Sequence, residues 1–255
     1  MARTSRKVSI SGCYHLVFRG NGKQILFEDA DDYETFLAYL KEELDSASIT
    51  LLAWCLMSNH VHLCIRDDSE EPDVLGHSMH RLATRYAMYF NAKTGHVGHV
   101  FQGRYSSAPI EEEAYLLETV RYIHNNPEKA GLCSADEYRW SSYQEYMGKP
   151  GLCETAGILK DLGGPAGFAE FIREGRQKEF RPLAERHVRI SDDEAACIAS
   201  AVYPDLRLDD VKSLPLDQRN AVLIRLRSEG ISIRQLERLT GIGRNVISRA
   251  VGRGV

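Results

Sequence analysis

Hydrophobic positions along the chain switch between a period of two and a period near three and a half, and the switches mark out elements. Residues 8–19 carry a β-rich, partly alternating run that ends at Gly20-Asn21-Gly22, which predicts a first strand and a turn. Over 31–44 the period lengthens. Tyr33, Phe36, Leu37, Leu40 and Leu44 recur at helical spacing behind Asp29, Asp31 and Asp32, whose charges suit a helix N-terminus. Residues 49–57 are continuously apolar and Ser58-Asn59 breaks the run. Next, His60, His62, Cys64 and Arg66 alternate with Val61, Leu63 and Ile65. That pattern predicts a hairpin whose second strand has one apolar and one functional face.

Leu75, Met79, Leu82 and Tyr86, with Tyr89 or Phe90, predict a helix over 74–91 that stops at Lys93-Thr94-Gly95. A short strand within 100–110 follows, then a helix over 111–125 with three glutamates at its start and Pro127 behind it. A short helix over 138–147 closes the series. Strand, helix, hairpin, helix, strand, helix predicts an α+β domain over 1–150, with helices packed on an antiparallel sheet. Residues 151–189 are richer in glycine and proline and are expected to be a helical connector, with helices at 155–162 and 165–174. Within 190–255 the helical windows are 191–202, 216–228, 233–239 and 244–251. Thr240-Gly241-Ile242-Gly243 between the last two is the turn of a helix-turn-helix. Leu236, Leu239, Ile242, Val246 and Ile247 would form its core, leaving Arg244, Asn245, Ser248 and Arg249 to face a DNA groove. The alternative is a plain two-helix hairpin.

Composition narrows the class. The 255 residues are 43% hydrophobic and 27% charged, enough for a real core and incompatible with disordered, collagen-like or solenoid proteins. No apolar run is long enough to span a bilayer, and the basic N-terminus lacks a hydrophobic segment, so no membrane partner or secretory route is expected. Six cysteines without a C-x-x-C pair read as reduced thiols of a cytoplasmic protein. The net charge of −4 hides an asymmetry. From residue 219 onward there are eight arginines and two glutamates, a net +6, so the remainder carries −10. An arginine-only positive end on an acidic body suits a phosphate polymer, although a solvated helical face would give the same count.

Chemistry concentrates in two places. His60 and His62 lie two apart on a strand, on one face and about 7 Å apart at their α-carbons, within reach of a single cation. Such a pair is half a metal site. His77/His80 and His96/His99 compete for the role. The second place is Arg121-Tyr122-Ile123-His124-Asn125-Asn126-Pro127. Leu116, Leu117, Val120 and Ile123 form the apolar arc of that helix, while Tyr115, Glu118, Tyr122 and Asn126 share the opposite face.

Together these pieces resemble the REP-associated tyrosine transposases, IS200-like members of the single-tyrosine HUH superfamily. The matching segments are Tyr14-His15-Leu16-Val17, Leu56-Met57-Ser58-Asn59-His60-Val61-His62-Leu63 and Phe101-Gln102-Gly103-Arg104-Tyr105. The Arg121–Pro127 segment and Trp140-Ser141-Ser142-Tyr143 complete the set. The resemblance implies an HUH, ferredoxin-like sheet over about residues 8–148. It implies that His60 and His62 bind Mg²⁺ or Mn²⁺, that Tyr122 is the nucleophile, and that Asn126 completes the metal shell where relatives use glutamine, glutamate or histidine. Arg104 is the expected DNA contact within its motif. The implied reaction is cleavage and rejoining of single-stranded or hairpin DNA, including REP-like palindromes, through a 5′-phosphotyrosine. No nucleotide cofactor is needed, which agrees with the lack of a G-x-x-x-x-G-K-[ST] loop. The implied setting is the bacterial cytoplasm at the nucleoid, with room for a homodimer and for duplex DNA on the C-terminal helices. Two rivals remain open: a DNA-binding regulator whose HUH domain only grips a hairpin, and a metal-dependent phosphodiesterase that uses water and spares Tyr122.

Overall fold

The structure, a computed structural model, describes residues 8–69, 71, 73–174, 180, 182–183, 192–204 and 206–251. The chain divides into two compact units, residues 1–185 and 186–255.

The first unit is built on four strands, β1 (Cys13–Arg19), β2 (Ile49–Met57), β3 (His60–Asp67) and β4 (Ser106–Ile110). Their order is β2-β3-β1-β4 and every neighbouring pair is antiparallel. Helix α1 (Ala30–Asp45) joins β1 to β2, and α2 (Val74–Thr94) joins β3 to β4. The element order is the one the hydrophobic periods predict, and its βαββαβ arrangement is the ferredoxin-like sheet that the resemblance implies. Asp29 caps α1 through a reciprocal pair with Asp32, and Lys93 near the end of α2 sits 2.7 Å from both carboxylates. Gly95, with φ of 68°, supplies the left-handed residue that stops α2.

Strand alternation divides the core. Leu16, Phe18, Val61, Leu63 and Ile65 face α1 and α2, where they meet Phe36, Leu40, Met79, Leu82 and Tyr86. Cys13, Cys55, Met57 and Cys64 face the other way. That second face is covered by α3 (Glu113–His124), the single turn α5 (Tyr143–Tyr146), α6 (Ala156–Leu162) and α7 (Pro165–Glu174). Of the stretch 151–189, expected as a connector, Ile158, Phe168 and Ile172 are buried in this core. Each fully buried aliphatic or aromatic side chain contributes about 1.5–3 kcal/mol. The functional face of β3 is therefore packed rather than open.

Three expectations shift. The first strand begins at Cys13 and the fourth at Ser106, later than the apolar pattern suggests. The helix expected over 138–147 shrinks to one turn because residues 140–142 are used otherwise. Leu56 N–H donates to Trp140 O at 2.9 Å and Ser142 N–H to Trp54 O at 3.0 Å, so this segment occupies the free edge of β2. Finally, α3 ends at His124, and Asn126–Lys129 forms a separate turn, α4. Pro127 has no N–H to continue the ladder of α3 to Ile123 O.

The second unit, described by itself, contains α8 (Asp192–Val202), α9 (Leu216–Ser228), α10 (Ile233–Thr240) and α11 (Arg244–Val251). Ser232 and Gln235 form a capping box at the start of α10, and Gly241, with φ of 67°, ends it. Leu223, Leu226, Ile231, Leu236, Ile242 and Ile247 make its core. Val246, expected in that core, is exposed.

Candidate active site

Strand β3 carries His60 and His62 on the face that α3 covers. Their rings are 4.9 Å apart and nearly perpendicular. Because β1 pairs beside β3 with Val17 opposite His62, His15 lies diagonally next to His62 on the same face. Its ring stacks on that of His62 at 5.3 Å and 25°, and His15 Nε2 is 3.1 Å from His62 Nδ1. His60 is engaged in a parallel way, with Nδ1 2.7 Å from Asn59 Oδ1. Both histidines thus have Nδ1 engaged by a neighbouring side chain. His15 and His62 are fully buried, whereas His60 is half-buried. Desolvation pushes His15 and His60 down to about 3, with the Arg19 charge adding to the effect at His60. His62 is held well below the usual imidazole value by burial and then by His60, His15, Arg19 and Lys129. All three are neutral near pH 7, the form in which imidazole donates a lone pair.

Helix α3 brings Tyr122 onto these rings. Its ring lies 5.7 Å from His62 and 6.2 Å from His15, edge-on to both, and 6.0 Å from Phe180. Residues on either side of Tyr122 pin the helix. His124 bridges Val120 O at 2.9 Å and Ser142 Oγ at 2.8 Å, Asn125 Nδ2 donates to Ile172 O at 3.0 Å, and Arg121 pairs with Glu118 and lies over Phe171. Asn126 Nδ2 donates to Tyr122 O at 2.9 Å, and the Asn126 side chain also hydrogen-bonds His60. Lys129, at the end of α4, places its ammonium 4.3 Å over the Tyr122 ring. Tyr122 is almost wholly buried, so the expected polar face of α3 is covered by the site itself.

His60, His62, Asn126 and Tyr122 therefore converge. Arg104 does not join them; it is exposed and lines two open grooves with Tyr105, one beside Tyr14 and one beside His77 and His80. His77, His80 and His99 are exposed, and among the described residues no three His, Cys, Asp or Glu side chains group closely enough to hold a metal. Sequence reasoning assigned no role to His15, Arg19, Lys129 or Phe180. For His15 and Lys129 a signal existed. His15 lies within a matched motif, and Lys129 is one turn beyond Asn126.

In the second unit Arg244, Asn245, Ser248 and Arg249 are all exposed on α11. Arg244 Nε is 2.6 Å from Glu237 Oε2, and Arg249 Nε donates to Asn245 O at 3.2 Å. Both contacts are solvent-exposed.

The inner strand β3 of a ferredoxin-like sheet thus presents a His-hydrophobic-His pair to a tyrosine on the helix packed over it. Residues 9–126 match the family described as "Transposase IS200 like". Two solved structures are similar. One is a REP-associated tyrosine transposase bound to a REP hairpin, at 14% identity and a TM-score of 0.48, covering 61% of this chain and 96% of that one. The other, described as a transposase of Deinococcus radiodurans R1, has 20% identity and a TM-score of 0.35, covering 49% and 97%. No curated protein matches the chain.

Proposed function

We propose that the first unit cuts and rejoins single-stranded DNA through a covalent 5′-phosphotyrosine on Tyr122, with hairpin DNA of the REP type as its substrate. The observation that carries this is the packing of Tyr122 against the His60–His62 pair, with Lys129 over its ring. The match of residues 9–126 to the family described as "Transposase IS200 like" supports it.

The residues fit a divalent ion. His60 and His62 would offer imidazole nitrogen and Asn126 its amide oxygen, a mixed nitrogen–oxygen donor set for Mn²⁺ or Mg²⁺. When bound, such an ion would polarise the scissile phosphodiester and offset charge on its non-bridging oxygens. Tyr122 Oη attacks phosphorus in line, forming the Oη–P bond as the P–O3′ bond breaks. The phenolic proton leaves to water, and the departing O3′ takes up a proton to become a free 3′-OH. Lys129 and Arg19 add positive charge beside the attacking oxygen and the phosphate. Because the phosphotyrosine retains the ester's energy, a second 3′-OH can reverse the step on another strand.

We further assign the exposed arginine face of α11 to duplex DNA, with Arg244 and Arg249 approaching a major groove and Asn245 and Ser248 available to base edges. Among the described residues no helix is long and apolar enough to cross a membrane. The reading places the work in the cytoplasm, at the nucleoid. Incubation with Mn²⁺ and 5′- or 3′-labelled hairpin DNA, followed by a denaturing gel, tests the reaction. Protein joined to the 5′ end is expected, and Tyr122→Phe should abolish it while hairpin binding persists. Binding without any adduct would favour the regulator, and cleavage retained in Tyr122→Phe would favour a water-using phosphodiesterase.

A further inference from the structure

His15 is fully buried and lies outside the proposed ligand set. Its Nδ1 has no hydrogen-bond partner among the described residues. A buried imidazole with one unpaired nitrogen is an expensive way to pack a sheet, since leucine or phenylalanine would occupy the site without that cost. What distinguishes it is the other nitrogen, 3.1 Å from His62 Nδ1, with the two rings stacked at 25°. Asn59 holds the corresponding Nδ1 of His60 at 2.7 Å. The two histidines of the pair therefore have the same kind of support, one from the turn before β3 and one from the neighbouring strand.

We propose that His15 is the positioning residue of His62: its Nε2 accepts the His62 Nδ1 proton, which fixes the ring plane and turns the His62 Nε2 lone pair toward the site. The reverse arrangement, with His15 donating, would place the neutral His62 proton on Nε2 and block that lone pair. A carboxylate in this place would add negative charge beside the pair. A neutral imidazole orients His62 and leaves the charge of the site to phosphate, Arg19 and Lys129. The inference rests on the proposed role of His62, and its test separates the two.

The measurement is made on the full chain without DNA, by Mn²⁺ titration and by ¹⁵N NMR of the histidine tautomers in the metal-free protein. Wild-type His62 is expected to carry its proton on Nδ1. His15→Phe, which keeps the ring volume and removes the acceptor, should weaken Mn²⁺ binding by about 10- to 100-fold and release the His62 tautomer. His15→Gln, whose amide oxygen can reach the place of Nε2, should restore most of both. A purely structural role predicts no such rescue. His62 protonated on Nε2 in the wild type, or Mn²⁺ affinity unchanged in His15→Phe, overturns the assignment. If the wild type bound no Mn²⁺ the metal reading would fall, and the tautomer of His62 would still decide the role of His15.

Discussion

The Lys129 ammonium stands 4.3 Å from the centre of the Tyr122 ring, one turn of helix beyond the asparagine that caps Tyr122. Lys129 is seven residues beyond Tyr122, about two helical turns, so α4 keeps it on the tyrosine's side of α3. A cation there favours negative charge as it develops on the phenolic oxygen and the phosphate. Lys129→Met, which retains the stem and loses the charge, should slow adduct formation about tenfold, equivalent to ~1.4 kcal/mol. Mn²⁺ binding should persist. Single-turnover capture of labelled hairpin DNA measures the rate, and an unaltered rate would remove Lys129 from the chemistry.

His60→Ala and His62→Ala should both abolish Mn²⁺ binding and covalent capture, but with different structural costs. His60 is half-buried and should be replaceable with little loss of stability, whereas His62 is fully buried between β1 and α3. Removing its ring leaves a cavity and strands His15 Nε2, a loss on the order of 2 kcal/mol. Thermal melts of the two variants should therefore separate. Capture that survives in the double variant would redirect the search to other histidines.

The buried histidines also set a pH dependence. His124 is fully buried, bonded to Val120 O and Ser142 Oγ, and desolvation pushes it down to about 4; His15 is pushed to about 3. In the unfolded chain both regain the ordinary value near 6.5. Between about 4 and 6.5 the unfolded state binds more protons, so stability is full above 6.5 and declines as the pH falls, by up to ~1.4 kcal/mol per unit for each histidine. The melting temperature of the metal-free chain should drop between pH 7 and pH 5. His124→Gln should flatten that slope, and an equal slope in the variant would show that His124 does not contribute.

On α11, Arg244→Ala and Arg249→Ala should each weaken duplex binding and reduce the slope of log K against log salt by about one, while hairpin cleavage continues. Titrations at several salt concentrations measure this. Unchanged slopes would make the second unit something other than a duplex-DNA module.

Much of the fold is legible in the sequence because it is local. The Asp29 cap, the Leu75–Phe90 spacing and the Ser58-Asn59 break fix elements within their own neighbourhood, and strand parity alone puts His60 and His62 on one face. The capping box and Gly241 likewise define α10 and its turn. What tertiary structure decides is which strand lies beside which and in what register. Placing β1 next to β3, with Val17 against His62, carries His15 from about 47 residues away to the Nδ1 of His62. The edge pairing of Trp140 and Ser142 with β2 cancels a helix that local spacing favours, and α4 brings Lys129 over Tyr122. These contacts arise from burying two faces of one sheet at once. No periodicity within a single segment encodes that constraint, so the reactive residue types can be read from the sequence while their mutual support cannot.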